Sequence, residues 1–155
     1  MKTRILATAC TVAAVLFVGT LVAEPQAEVD FETITCPVSG KPVNVEQTLD
    51  YKEGQVYLCC PGCVAPFEKK TAKYATAANH QLATTQQVVQ VNCPISGRAV
   101  NEEVSSEVGG ITVGYCCKGC LKKVNSAEGD DQLALVFGEE AFEQGFAFPE
   151  EEDAE

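Results

Sequence analysis

The chain has 155 residues, 46% of them hydrophobic and 21% charged. That is too apolar for a disordered protein, and no Gly-X-Y or heptad period marks a fibrous one. Eleven Lys and Arg against twenty-two Asp and Glu give a net charge of −11, which leaves no basic patch for a nucleic-acid backbone. Nine cysteines stand beside one histidine and one methionine, the initiator, so two-histidine metalloprotease sites and methionine-rich copper sites are excluded. The chemistry of this chain belongs to sulfur.

The chain opens with a basic head, Lys2 and Arg4, followed by an apolar run from Ile5 to Ala23 that ends at Glu24. This pattern predicts a secretory signal peptide over 1–23, cut after Ala23, and places Cys10 in the discarded piece. The alternative is a retained N-terminal anchor, because about twenty apolar residues span a bilayer. Either way the protein is expected to be exported, to the periplasm or the extracellular space, and to meet a membrane only if the segment stays.

A tandem repeat organises the rest. Cys36-Pro37-Val38-Ser39-Gly40 returns as Cys93-Pro94-Ile95-Ser96-Gly97, and Cys59-Cys60-Pro61-Gly62-Cys63 returns as Cys116-Cys117-Lys118-Gly119-Cys120. The offset is 57 at every cysteine (93 − 36, 116 − 59, 117 − 60, 120 − 63), and residues 36–63 match 93–120 at 12 of 28 positions without a gap. The remaining eight cysteines all belong to this duplication.

In chain order, the Ser-Gly pair after each Cys-Pro predicts a turn. Val43, Val45, Leu49 and Tyr51 alternate as in a half-buried strand, and 55–59 and 111–116 read as the returning strands, reached through Gly54 and through Gly109-Gly110. After each Cys-x-Gly-Cys the spacing turns helical, with Pro66 tolerated in the first turn. The Ala-, Thr- and Gln-rich stretch that follows predicts a helix continuing to about Leu82 and a polar linker over 83–90. Segments 132–137 and 141–148 supply apolar residues to cap the second copy, with Phe142, Phe146 and Phe148 as packing groups. The acidic run at 149–155 reads as a solvated tail. The expected fold class is α+β: a first module over 31–82 and a second over 91–148, each a cysteine knuckle, a hairpin and a short helix.

Modules this small need a staple, since their cores supply only ~3–5 kcal/mol. A disulfide closing the first loop would contribute roughly 3.5 kcal/mol, and a thiolate-bound structural zinc on the order of 10–16 kcal/mol. Spacing favours metal, because each Cys-x-x-Cys turn converges two thiolates at a helix N-terminus that favours the ligating form. The candidate ligands are Cys36, Cys59, Cys60 and Cys63, then Cys93, Cys116, Cys117 and Cys120. Cys59 and Cys60 would point to opposite faces of an extended strand end, so either the strand has turned there or only one of each adjacent pair reaches the ion. All-sulfur ligation suits Zn(II), Cu(I), Cd(II) or Hg(II) and argues against Mg, Ca and Mn. The rivals are a disulfide-stapled interaction module and a thiol–disulfide redox protein using the Cys-x-x-Cys pairs.

Cys36-x22-Cys59-x3-Cys63 and Cys93-x22-Cys116-x3-Cys120 resemble the TRASH motif, a treble-clef-like heavy-metal-binding module related to the YHS domain. The resemblance covers about 36–75 and 93–128. It implies binding of a soft transition metal in sensing, trafficking or resistance to heavy metals. From the thiolate ligation itself, copper or zinc is expected, about one ion per module, with a metal-donor or acceptor protein as partner. By the resemblance, Cys36, Cys59, Cys63, Cys93, Cys116 and Cys120 are ligands, and Cys60 and Cys117 are a fourth ligand or a shield. The YHS-type knuckle resembles Asp-Pro-Val-Cys-Gly. Here Cys stands at the Asp place and Ser39 or Ser96 at the Cys place, where a hydroxyl is expected to bond the turn backbone. His80, Tyr57 and Tyr115 are expected to be packing residues. With no phosphate loop, nucleophile elbow or carboxylate pair, the chain reads as a binder and not an enzyme.

Overall fold

A computed structural model describes residues 29–149. The predicted signal or anchor segment with Cys10, and the acidic run over 150–155, lie outside the described residues. No helix among those described is long and apolar enough to cross a membrane. The fold is α+β, as expected: the described residues form five α-helices and three two-stranded antiparallel sheets.

In the first copy, β1 (Thr48–Tyr51) pairs with β2 (Gly54–Tyr57), a 3-10 turn spans Pro61–Cys63, and α1 (Val64–Lys69) and α2 (Thr71–Thr84) follow. After β3 (Val89–Gln90), the second copy gives β4 (Asn101–Val108), β5 (Ile111–Tyr115), α3 (Lys118–Asn125), α4 (Gly129–Phe137), α5 (Glu139–Gly145) and β6 (Phe146–Ala147).

Three expectations need correction. The first strand begins at Thr48, not at Val43, because the Asn44 side chain accepts the Glu46 amide at 3.0 Å and folds 44–47 into a turn. Val45 is left 53% exposed by that turn. The helix after the Cys-x-x-Cys turn is not continuous: Lys70, at φ −140 and ψ 42, separates α1 from α2. The stretch expected as a polar linker is built into the fold. Val88 is buried, β3 pairs with β6, and the Val91 and Asn92 amides both donate to the Gly145 carbonyl, at 2.8 and 3.1 Å.

Three glutamines, one on α2 and two beyond it, finish the open edges of the hairpins. Gln81 accepts the Tyr57 amide at 2.6 Å and donates to the Tyr57 carbonyl at 2.9 Å. Gln87 does the same for Gln55, at 2.7 and 2.8 Å, and Gln90 for Gly114, at 2.9 and 2.7 Å. Each carboxamide thus replaces the missing neighbour of an edge strand. Gln81 is only 2% exposed, so Gln81→Leu strands both Tyr57 groups and is expected to cost about 2–3 kcal/mol. A denaturant midpoint unchanged from wild type would refute that account.

One main core draws on both copies, from Tyr51, Val56, Phe67 and Leu82 to Val113, Tyr115, Phe137 and Phe146. Phe142 and Phe146 are buried in it, Phe148 packs against it, and Tyr115 is fully enclosed, so these aromatics are packing groups, as expected. Tyr57 packs edge-on to Phe31 at 5.0 Å.

The copies meet through equivalent parts. α2 packs against α4, and His80 contacts Phe137, its own counterpart one offset of 57 along, with ring centroids 5.0 Å apart. Lys52 in the first hairpin turn reaches Glu139 at 2.6 Å, while Gly109 in the second accepts a hydrogen bond from His80 Nε2 at 2.8 Å. Lys52 and Gly109 are again one offset apart, and both have left-handed φ, 54° and 59°. Each hairpin tip therefore rests on a helix of the other copy, the geometry of a two-fold contact. Asn79 ties the seam, accepting from Tyr51 Oη at 3.1 Å and donating to the Phe137 carbonyl at 2.9 Å. His80 is half-buried and serves this seam as a packing group; burial lowers its pKa despite the Gly109 carbonyl.

Candidate metal centre

Each cluster is assembled from three pieces of chain. The first knuckle closes through Cys36 N–H to the Lys41 carbonyl and Gly40 N–H to the Cys36 carbonyl, both at 2.8 Å. Cys93, Gly97 and Arg98 repeat these bonds at the same lengths. Gly40 and Gly97 take φ +67 and +64, which lets the turn close without the strain a Cβ would bring there. The hairpin then delivers Cys59 and Cys116 just past β2 and β5. Helical turns supply Cys63 and Cys120.

The result is two equivalent triads, Cys36/Cys59/Cys63 and Cys93/Cys116/Cys120, whose sulfurs all lie within 4.8 Å of one another. Cys59 and Cys63 are 3.6 Å apart, as are Cys116 and Cys120. A tetrahedron with metal–sulfur bonds of about 2.3 Å has sulfurs about 3.8 Å apart, so the donor sets fit a thiophilic ion. Cys60 lies 3.8 Å from Cys59 and 3.9 Å from Cys63, and Cys117 lies 3.8 Å from Cys120. Both stand outside the mutual triads, in extended backbone at φ −166 and −163 immediately before their helical turns. Of the two adjacent thiols, then, the first of each pair faces the knuckle.

All eight described cysteines are free thiols. Their sulfur separations of 3.6 Å and more stand far from the disulfide bond length of about 2.05 Å.

Burial pushes the Cys36 thiol up, but the Cys59, Val38 and Ser39 amides and the Ser39 hydroxyl outweigh it and bring the pKa down to about 7. Cys93 reaches about 7 in the same way, against its own burial, through the Cys116 and Ile95 amides, the Ser96 hydroxyl and the Cys116 thiol. Burial, then the neighbouring thiols, push Cys63 and Cys120 up to about 12. Cys117 is brought down to about 7, first by the Cys120 and Gly119 amides at the helix N-terminus. Cys60 is lowered as well, first by its contacts with Cys59 and Cys63.

These values fix the pH dependence of capture. An ion binds thiolates, so every proton still held must leave. Cys63 and Cys120 keep theirs across the neutral range, so affinity should rise about tenfold per pH unit from this source alone. Below about pH 7, Cys36 and Cys93 are protonated too, and the slope should steepen. Competition titrations against a chelator at pH 6, 7 and 8 check this; an affinity independent of pH would contradict it.

Two contributors were not legible in the sequence. Ser39 and Ser96 do more than serve the turn: Ser39 Oγ lies 3.2 Å from Cys59 Sγ, and Ser96 Oγ 3.2 Å from Cys116 Sγ. Each hydroxyl thus meets its cluster by hydrogen bonding. Their repetition at one offset was the available signal. The second is Arg98, whose Nη2 lies 3.2 Å from Cys116 Sγ and 3.9 Å from Cys117 Sγ.

No family model, curated protein or solved structure matches the chain. The two cysteine clusters therefore carry the functional reading on their own geometry.

Proposed function

We propose that this is an exported soft-metal-binding protein that holds about one ion, Zn(II) or Cu(I), at each thiol cluster and carries or sequesters it without catalysing a reaction. The observation that supports this is the pair of equivalent three-sulfur triads at metal-ligand spacing. In the finer reading each copy is a treble-clef-like module of the TRASH and YHS kind. Cys60 and Cys117 supply the fourth thiolate when the ion is tetrahedral. The physiological partner is a protein that donates or accepts the ion, and the predicted signal segment places the encounter in the periplasm or outside the cell.

The test is elemental analysis of protein recovered from its export compartment, with free thiols counted before and after denaturation in chelator. The expected result is one or two soft-metal ions per chain, with thiols that become reactive only once chelator removes them. Protein with neither bound metal nor free thiols would refute the proposal and establish the disulfide-stapled scaffold instead.

A further inference from the structure

The two clusters share their ligands but not their surroundings. Arg98 occupies the repeat position of Lys41, one offset of 57 apart. Its guanidinium reaches the sulfurs of both Cys116 and Cys117, whereas among the described residues the Lys41 side chain has no hydrogen-bond or ion-pair partner. Lys118 stands inside the second Cys-x-x-Cys turn where the first has Pro61. Cys117 is half-buried, while Cys60 is exposed. The supports differ as well. Cys93 is fully buried in the main core, with Cys116 and Cys120 packed against it. Cys36 and Cys63 belong instead to a small separate cluster with Leu58.

We infer that the two clusters are unequal sites: the second, with Arg98 beside it, takes the first ion and holds it longer, and the first takes the second ion and gives it up sooner. This rests on the metal-binding reading and assigns an order to it. A divalent ion on four thiolates carries two net negative charges, as does Cu(I) on three. A guanidinium in contact with two of the sulfurs offsets one of those charges and hydrogen-bonds to the thiolates. Embedding Cys93 in the main core adds a second advantage, because a knuckle ligand anchored in the larger core has less freedom to lose on binding than one held by a three-residue cluster. At the first cluster, the exposed Cys60 is open to an incoming thiol. In that exchange the bond from the ion to Cys60 sulfur breaks as the bond to the entering sulfur forms, and the entering thiol's proton passes to Cys60.

Arg98 is solvent-exposed, so its effect is moderate and salt-sensitive, roughly fivefold in affinity at low ionic strength. The full reduced chain, freed of metal, is titrated with cadmium-113 alone and followed by NMR and by chelator competition. Two resonances are expected, one filling before the other. Cys116→Ser should remove the early one and Cys59→Ser the late one. Arg98→Met, a change at an exposed position, should shift the early resonance and narrow the affinity gap by roughly fivefold, and Lys41→Arg should narrow it from the other side. Resonances that fill together in wild type, or an order and a gap unchanged in Arg98→Met, would overturn the inference while leaving metal binding intact. A chain that takes up no cadmium would overturn the metal-binding reading, and this inference with it.

Discussion

Cys63→Ser together with Cys120→Ser is expected to abolish metal retention at both clusters while leaving the fold in place. Each of these thiols lies close to both of the adjacent pair: Cys63 is 3.6 Å from Cys59 and 3.9 Å from Cys60, and Cys120 is 3.6 Å from Cys116 and 3.8 Å from Cys117. Without it, the adjacent pair and the knuckle thiol no longer surround a common point. A serine hydroxyl is a hard oxygen ligand and a poor substitute on a soft cation. The single variants should each lose one ion, since the clusters have no ligand in common and distant effects add. Elemental analysis reads the loss, and an unchanged far-UV dichroism spectrum shows that the fold persists. A double variant with a full metal complement would mean the ions sit elsewhere.

The largest effect on stability is expected at Phe137. Its side chain is fully buried, 5.0 Å from the His80 ring and 5.5 Å from Phe146, and its carbonyl accepts the Asn79 side chain at 2.9 Å. Phe137→Ala removes a large aromatic from a core to which both copies contribute, and should cost about 3–5 kcal/mol. Because that core is shared, the damage cannot stay in the second copy. Unfolding in denaturant should remain a single transition, and the amides of Val56 and Val113 should lose hydrogen-exchange protection by the same amount. Protection lost at Val113 but kept at Val56 would show two independently folding halves and refute the shared core.

The duplication and its eight cysteines were readable from spacing alone, because metal ligation and repetition both leave a positional record. The α+β class and the two hairpins were readable from alternation and from the glycines between strands. What escaped was polar. Gln81 lies on the expected helix and Gln87 and Gln90 in the stretch read as a polar linker, yet each carboxamide caps a strand edge that only the folded chain brings near it. Alternation at Val43 and Val45 suggested a longer strand, but the Asn44 side chain won that contest by bonding the backbone two residues on. Asn101, its counterpart, bonds the Glu103 amide at 3.0 Å, next to the shift in register between β4 and β5. An asparagine at both places was the overlooked cue. Arg98 stands at the repeat position of Lys41, and the fork of the guanidinium makes the two unlike once sulfur lies within reach.

The reciprocal seating of the hairpin tips has a consequence for how such a chain can vary. A solenoid presents a fresh face after every unit and can lengthen by one copy at a time. Here Lys52 is seated on Glu139 and Gly109 on His80, so each copy's mating surface is already taken by the other. A third copy would find nowhere to dock. Greater capacity would have to come from whole pairs strung along a chain, like beads each already closed.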